Sequence, residues 1–170
     1  FEYDDELLDM ARNEFPDLKF EKDDITVRNE EWAESFDIVT ALGLVCIFDD
    51  FPLVMDNLLF RLKEGGRLII HGMFNDYDVD VFIKYKRSKD SFDNHYENGW
   101  NIVSVESLRN YSSSRGIKVL SVTDFLVDVD LEKKTNDPIR SWTEKDSRGR
   151  RFITNGLCIL QPQKIVVLQK

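Results

Sequence analysis

Apolar residues along this chain change period at definite points, and each change marks an element. Leu7, Leu8 and Ala11 recur at helical spacing behind Asp4, which can cap a helix whose first turn carries Asp5 and Glu6. Pro16 ends that helix. Leu18 and Phe20 alternate with Lys19 and Glu21, the pattern of a short strand running into Asp23 and Asp24. Asn29 to Ser35 reads as a helical turn around Trp32, and Phe36-Asp37-Ile38-Val39-Thr40 opens a buried strand. A second helix, capped by Asp49 or Asp50, shows a broad apolar face of Phe51, Val54, Met55, Leu58, Leu59 and Leu62 and is expected to stop at Gly65-Gly66. Arg67 to His71 is then a near-continuous apolar run, as in a strand covered on both faces.

Residues 75–99 are polar and aromatic and read as a lid or connector with one helical stretch near Val79 to Lys86. Ser104 can cap a helix that runs through Leu108 and Tyr111 to Gly116. Ile117 to Leu131 reads as one long strand, in which Phe125, Val127, Val129 and Leu131 alternate with acidic residues. A polar loop with Pro138 follows, the chain returns through Phe152-Ile153, and Ile165 to Leu168 form a last strand. The last two strands should be antiparallel, with a hairpin inside their connection. Alternation of helices and strands indicates an α/β sheet. The strands at 36–42, 67–71 and 164–169 are predicted to be neighbours, with 117–131 outside the last because its alternating Asp residues suit an edge.

Composition narrows the function. The chain has 170 residues, 42% apolar and 32% charged, which suits one globular domain over 1–170. A formal charge of −9 argues against nucleic acid as a partner. The basic cluster Lys145, Arg148, Arg150 and Arg151, interrupted by Asp146, reads as a solvated hairpin tip. No apolar run approaches the roughly 18 residues of a membrane span and no signal peptide is visible, so the expectation is a cytoplasmic protein without a membrane partner. Cys46 and Cys158 sit in apolar runs and are expected to be buried free thiols, and the spacing of two histidines and two cysteines gives no metal pattern.

Several segments, in order, resemble the class I S-adenosylmethionine-dependent methyltransferases. Glu2-Tyr3-Asp4 through Leu8 is similar to the strand end and helix start where an acid grips the cofactor ribose in a Rossmann-like fold. Phe20-Glu21-Lys22-Asp23-Asp24-Ile25 is similar to the strand and acidic turn that hold adenine, and Phe36 to Thr40 to the strand leading to the active-site edge. Leu62-Lys63-Glu64-Gly65-Gly66-Arg67-Leu68-Ile69-Ile70 is the most specific match, and a helix, a sixth strand and an antiparallel seventh match residues 104–170. The resemblance implies a mostly parallel sheet with an antiparallel last strand. It also implies a truncated N-terminal side, because the first strand and the glycine-rich loop that admits the methionine part of the cofactor are not in this sequence.

From the resemblance, Glu2 would bind ribose, or be a helix-terminal acid; Tyr3 would lie on adenine, or pack on the core. Asp24 would accept the adenine amino group while the Ile25 amide donates to a ring nitrogen; a turn-forming acid is the alternative. Leu42 and Gly43 should line the cleft at the strand ends, although Gly43 also reads as a turn glycine. His71, Asn75, Tyr77 and Arg140 are candidates for the acceptor pocket. His71 would be a general base for a hydroxyl or amine acceptor, or a structural histidine; the others are pocket formers or turn formers. The expected activity is methyl transfer to a small molecule, with S-adenosylmethionine bound weakly or not at all by these residues alone. The alternatives are a non-catalytic binding or assembly domain and, third, a nicotinamide-dependent oxidoreductase. An unpaired apolar edge at 36–42 is expected to promote self-association.

Overall fold

Leu68, Ile70 and Phe74 carry no measurable solvent exposure, and all three belong to the strand around which the sheet is arranged. The computed structural model describes residues 4–88 and 95–170. Helix α1 spans Asp5–Glu14, and the Asp4 side chain accepts from the Leu7 amide at its start. A single 3₁₀ turn at Glu30–Trp32 follows, capped by Asn29. Strand β1 is Phe36–Leu42 and helix α2 is Phe51–Phe60, capped by Asp50, whose side chain accepts from the Leu53 amide. Strand β2 runs Leu62–Asn75. Short strands β3 (Lys84–Tyr85), β4 (Glu97–Asn98) and β5 (Val103–Ser104) lead to helix α3, Val105–Ser114, capped by Ser104. Strand β6 is Lys118–Asp124, β7 is Trp142–Lys145, β8 is Arg151–Thr154 and β9 is Gln163–Gln169.

The main sheet has the order β1-β2-β9-β6, with β5 pairing the far end of β2. β1 and β5 lie parallel to β2, whereas β9 is antiparallel to both β2 and β6. This is the predicted arrangement, with the Asp-bearing strand outermost. β7 and β8 form the hairpin expected inside the last connection. At its tip Arg150 pairs with Asp146, and Lys145 and Arg151 both reach Asp130.

One face of the sheet is packed by α2 and α3. Val54, Met55 and Leu58 of α2, and Leu108 and Tyr111 of α3, share a core with Leu68, Ile70 and Phe74 of β2 and Val166 and Leu168 of β9. Among the described residues β1 pairs only with β2, and its Ile38 and Leu42 are 58% and 70% exposed.

Five expectations are corrected. Leu18 is a bend and Lys19 to Glu21 carry no strand assignment; among the described residues this segment joins none of the sheets, and Lys22 alone carries a bridge. Helix α2 ends at Phe60, and Leu62, expected on its apolar face, already pairs with Phe36 as the first residue of β2. Gly65-Gly66 therefore lies inside β2 rather than ending the helix. Gly65 has φ +75, and a Cβ at Gly66 would stand 2.8 Å from the Lys63 carbonyl oxygen. Val79 to Lys86 is not helical: Val81 bridges Ile102, and β3 pairs with β4. The long strand stops at Asp124, after which Phe125 to Leu131 leave the sheet. Cys46 is buried, but Cys158 is exposed in a turn with φ +59.

Candidate functional site

β1 ends at Leu42, opposite His71 of the parallel strand β2, which runs on to Asn75. The chain turns there at Gly43, which has φ +71 and nothing within 4 Å of a built Cβ, so its glycine serves the backbone conformation. The Gly43 amide donates to the His71 carbonyl at 2.8 Å. The Cys46 thiol donates to the Gly43 carbonyl at 3.3 Å, and burial pushes that thiol up from its ordinary value.

His71 is flanked by Leu42 of β1 and Ile165 of β9. Its ring meets the Phe125 ring edge-on at 4.7 Å, and its Nε2 is buried without a hydrogen-bond partner. Burial lowers its pKa below the usual 6.5, so the imidazole is neutral at physiological pH.

Two clefts flank this edge. The first, about 610 Å³, runs beside β1 and is lined by Asp24 and Ile25 together with Phe36, Ile38 and Val39. The Asp24 Oδ1 accepts from the Thr26 amide at 2.8 Å and the Thr26 hydroxyl at 2.7 Å, which closes a tight turn. The Ile25 carbonyl accepts from Asn57 of α2 at 2.7 Å. The second cleft, about 540 Å³, brings Asn75 and Tyr77 together with Phe125, Phe152, Gln161 and Lys164. Asn75 also shapes its own turn, accepting from the Tyr77 amide and donating to the Val79 carbonyl.

The candidate residues are thus divided. Asp24 and Ile25 share the first cleft, and Asn75 and Tyr77 share the second. Leu42 and Gly43 sit at the end of β1, and His71, expected at a strand end, lies within β2 opposite Leu42; all three line neither cleft, although His71 touches Phe125 of the second. Arg140 lies in the loop before β7, close to Asp137, and lines neither cleft. Glu2 and Tyr3 lie outside the described residues.

Sequence reading passed over Lys164, Gln161 and Asn101. The Lys164 side chain is 7% exposed and reaches both Asp76 and Asp124. Burial opposes its charge, yet the hydrogen bonds it donates to Asp124 and Asp76 outweigh this and raise its pKa. The signal was a cross-strand one, since Lys164 stands opposite Asp124 in the β6–β9 register. Buried Asn101 donates to the Phe48 carbonyl and to Asp49, and its Oδ1 accepts from the Ile83 amide, so it knits the connector to the turn after β1. No described helix is long and apolar enough to cross a membrane.

No family model and no curated protein sequence matches the chain. Solved structures do. A SAM-dependent methyltransferase from Methanosarcina mazei superposes with a TM-score of 0.60 at 7% identity, over 99% of this chain and 79% of that one. An S-adenosylmethionine-dependent methyltransferase from Mesorhizobium loti gives 0.57 at 12% identity, over 99% and 77%. The 1,6-didemethyltoxoflavin-N1-methyltransferase of Burkholderia thailandensis, solved with S-adenosylhomocysteine bound, gives 0.54 at 9% identity, over 98% of this chain and 56% of that one. Together with the antiparallel β9 set between β2 and β6, these likenesses give the chain the fold of the class I S-adenosylmethionine-dependent methyltransferases.

Proposed function

We propose that the chain is an S-adenosylmethionine-dependent methyltransferase, or a fragment of one, acting on a small molecule. The observation that carries this reading is the strand order, with antiparallel β9 between strands β2 and β6. That order weighs against a nicotinamide-dependent oxidoreductase. The cofactor would supply an electrophilic methyl group, so the protein's work is alignment and exclusion of water.

The described residues fit the adenosine half of such a cofactor. Asp24 is fixed by Thr26 through Oδ1, which leaves Oδ2 for the adenine amino group, and the Ile25 amide would serve a ring nitrogen. Glu2 and Tyr3 would complete the ribose and ring contacts. The methionine half finds no glycine-rich loop among the described residues: Gly43 leads into the 3₁₀ turn Val45–Ile47, and Gly72 lies within β2 against Val45. Binding by these residues alone is therefore expected to be weak. Losing several charge-assisted hydrogen bonds, at about 1.5–3 kcal/mol each, would move a micromolar site to about millimolar. His71, kept neutral by burial, is in the form that can take a proton from a hydroxyl or amine acceptor.

Calorimetric titration tests the reading. Adenosine and S-adenosylmethionine should bind with similar weak affinity, and Asp24→Ala should weaken both. Adenosine binding that ignores Asp24→Ala, or its complete absence, would overturn it. A second reading, a non-catalytic assembly domain, draws on the exposed Ile38 and Leu42 of β1; methyl transfer to any acceptor would exclude it.

A further inference from the structure

We propose that the second cleft, between the segments Asn75–Val81 and Asp124–Val127 and the β7–β8 hairpin, binds an uncharged, ring-bearing small molecule that presents a carbonyl or similar acceptor. The reading above enters in one respect only: it makes this ligand the methyl acceptor.

Four observations converge. The cleft's 540 Å³ falls within the roughly 300–1,000 Å³ of small-ligand sites. Its lining carries large apolar side chains left in water: Leu126 is 83% exposed, Tyr77 75% and Leu160 64%. Phe125 and Phe152 complete walls on which a flat ring can stack. Exposed apolar side chains gathered around one concavity, rather than scattered, mark a binding surface.

The polar groups define what the ligand carries. Gln161 is 6% exposed and lines the cleft. Its Oε1 accepts from the Ser141 hydroxyl at 2.9 Å, whereas its Nε2 is buried with no partner. A buried donor left unpaired is a cost to the fold that a ligand acceptor would recover. The cations that line the cleft are each already paired with carboxylates. Lys164 is held by Asp76 and Asp124, and Arg151 by Asp130. With Arg151 and Lys164 set against Asp76 and Asp124, the lining carries no net charge to draw an ion.

Position links the cleft to the sheet edge. Phe125 packs on His71, and the His71 carbonyl holds the Gly43 amide where β1 ends. A ligand stacked on Phe125 would therefore lie one ring away from the imidazole.

The test measures binding by ligand-observed NMR titration of the full chain without cofactor, using coumarin, naphthalene and coumarin-3-carboxylate. Coumarin should bind about tenfold more tightly than naphthalene, which lacks the acceptor, and the carboxylate should bind at least as weakly as naphthalene. Gln161→Leu should erase the difference between coumarin and naphthalene. Leu126→Asp, at an exposed position the fold can bear, should weaken both. Equal binding of coumarin and naphthalene to the unaltered chain, tighter binding of the carboxylate, or indifference to Leu126→Asp would overturn the proposal. Adenosine titration is scored separately, so coumarin binding without an adenosine response would sink the methyltransferase reading and leave the ligand site standing.

Discussion

Arg61 and Asp23 meet at 2.5 Å with their side chains 5% and 6% exposed, an ion pair almost wholly removed from water. The Arg61 carbonyl also accepts the amides of Ser35 and Phe36, so one residue ties the acidic turn to the start of β1. Removing one partner of a buried pair strands the other charge, at about 3–5 kcal/mol. Asp23→Ala should therefore shift the urea midpoint strongly and loosen the turn that presents Asp24. A loss in denaturant melts below about 1 kcal/mol would mean the pair behaves like a surface one.

Asp56 links α2 to α3: it accepts from the Tyr111 hydroxyl at 2.6 Å and from the Arg115 guanidinium through both oxygens. The hydrogen bonds from Arg115, against a smaller opposing effect of burial, hold its carboxyl below the ordinary 3.8. A depressed folded pKa means the unfolded chain takes the proton first. The contribution is thus complete above 3.8 and lost as pH falls through the lowered folded value. Asp56→Asn should flatten that part of the acid limb in urea melts; an unchanged pH profile would count against the link.

His71 should also mark the pH profile. Its pKa is lowered by burial from 6.5, so below 6.5 the unfolded chain binds a proton that the folded chain resists. Stability should decline as pH falls from 6.5 toward the folded value. His71→Phe should remove that decline. An NMR titration placing His71 at or above 6.5 would show that the ring is solvated.

The outer edge of β1, unpaired among the described residues, is expected to recruit a second chain. Unpaired backbone beside exposed Ile38 is a template for strand addition. Sedimentation should show association at high micromolar concentration, and Ile38→Lys should reduce it. A strict monomer under those conditions would rule the edge out as a contact.

Much of the sheet was legible because its central strands are apolar runs: Arg67 to His71 and Ile165 to Leu168 could pack nowhere but inside. The outer place of β6 followed from its Asp residues. The misreadings have physical causes. Alternation continues past Asp124, but Phe125 makes one last bond to the Gln163 carbonyl and then turns its neighbours toward the second cleft. Leu62 matches the apolar period of α2 because it buries against the same core, yet its backbone already belongs to β2. Gln161 gave no signal, since a buried amide with one free end looks in sequence like any loop glutamine.

β9 lies between β2 and β6 but is synthesised after both. On the ribosome, the sheet therefore closes at its middle last, and among the described residues β6 has no main-sheet partner until β9 arrives. Such late, distant pairing is slow, and it leaves two strand edges open to neighbouring nascent chains. Soluble yield should therefore depend on how fast the chain is made, with slower synthesis favouring the correct insertion of β9 over pairing between molecules.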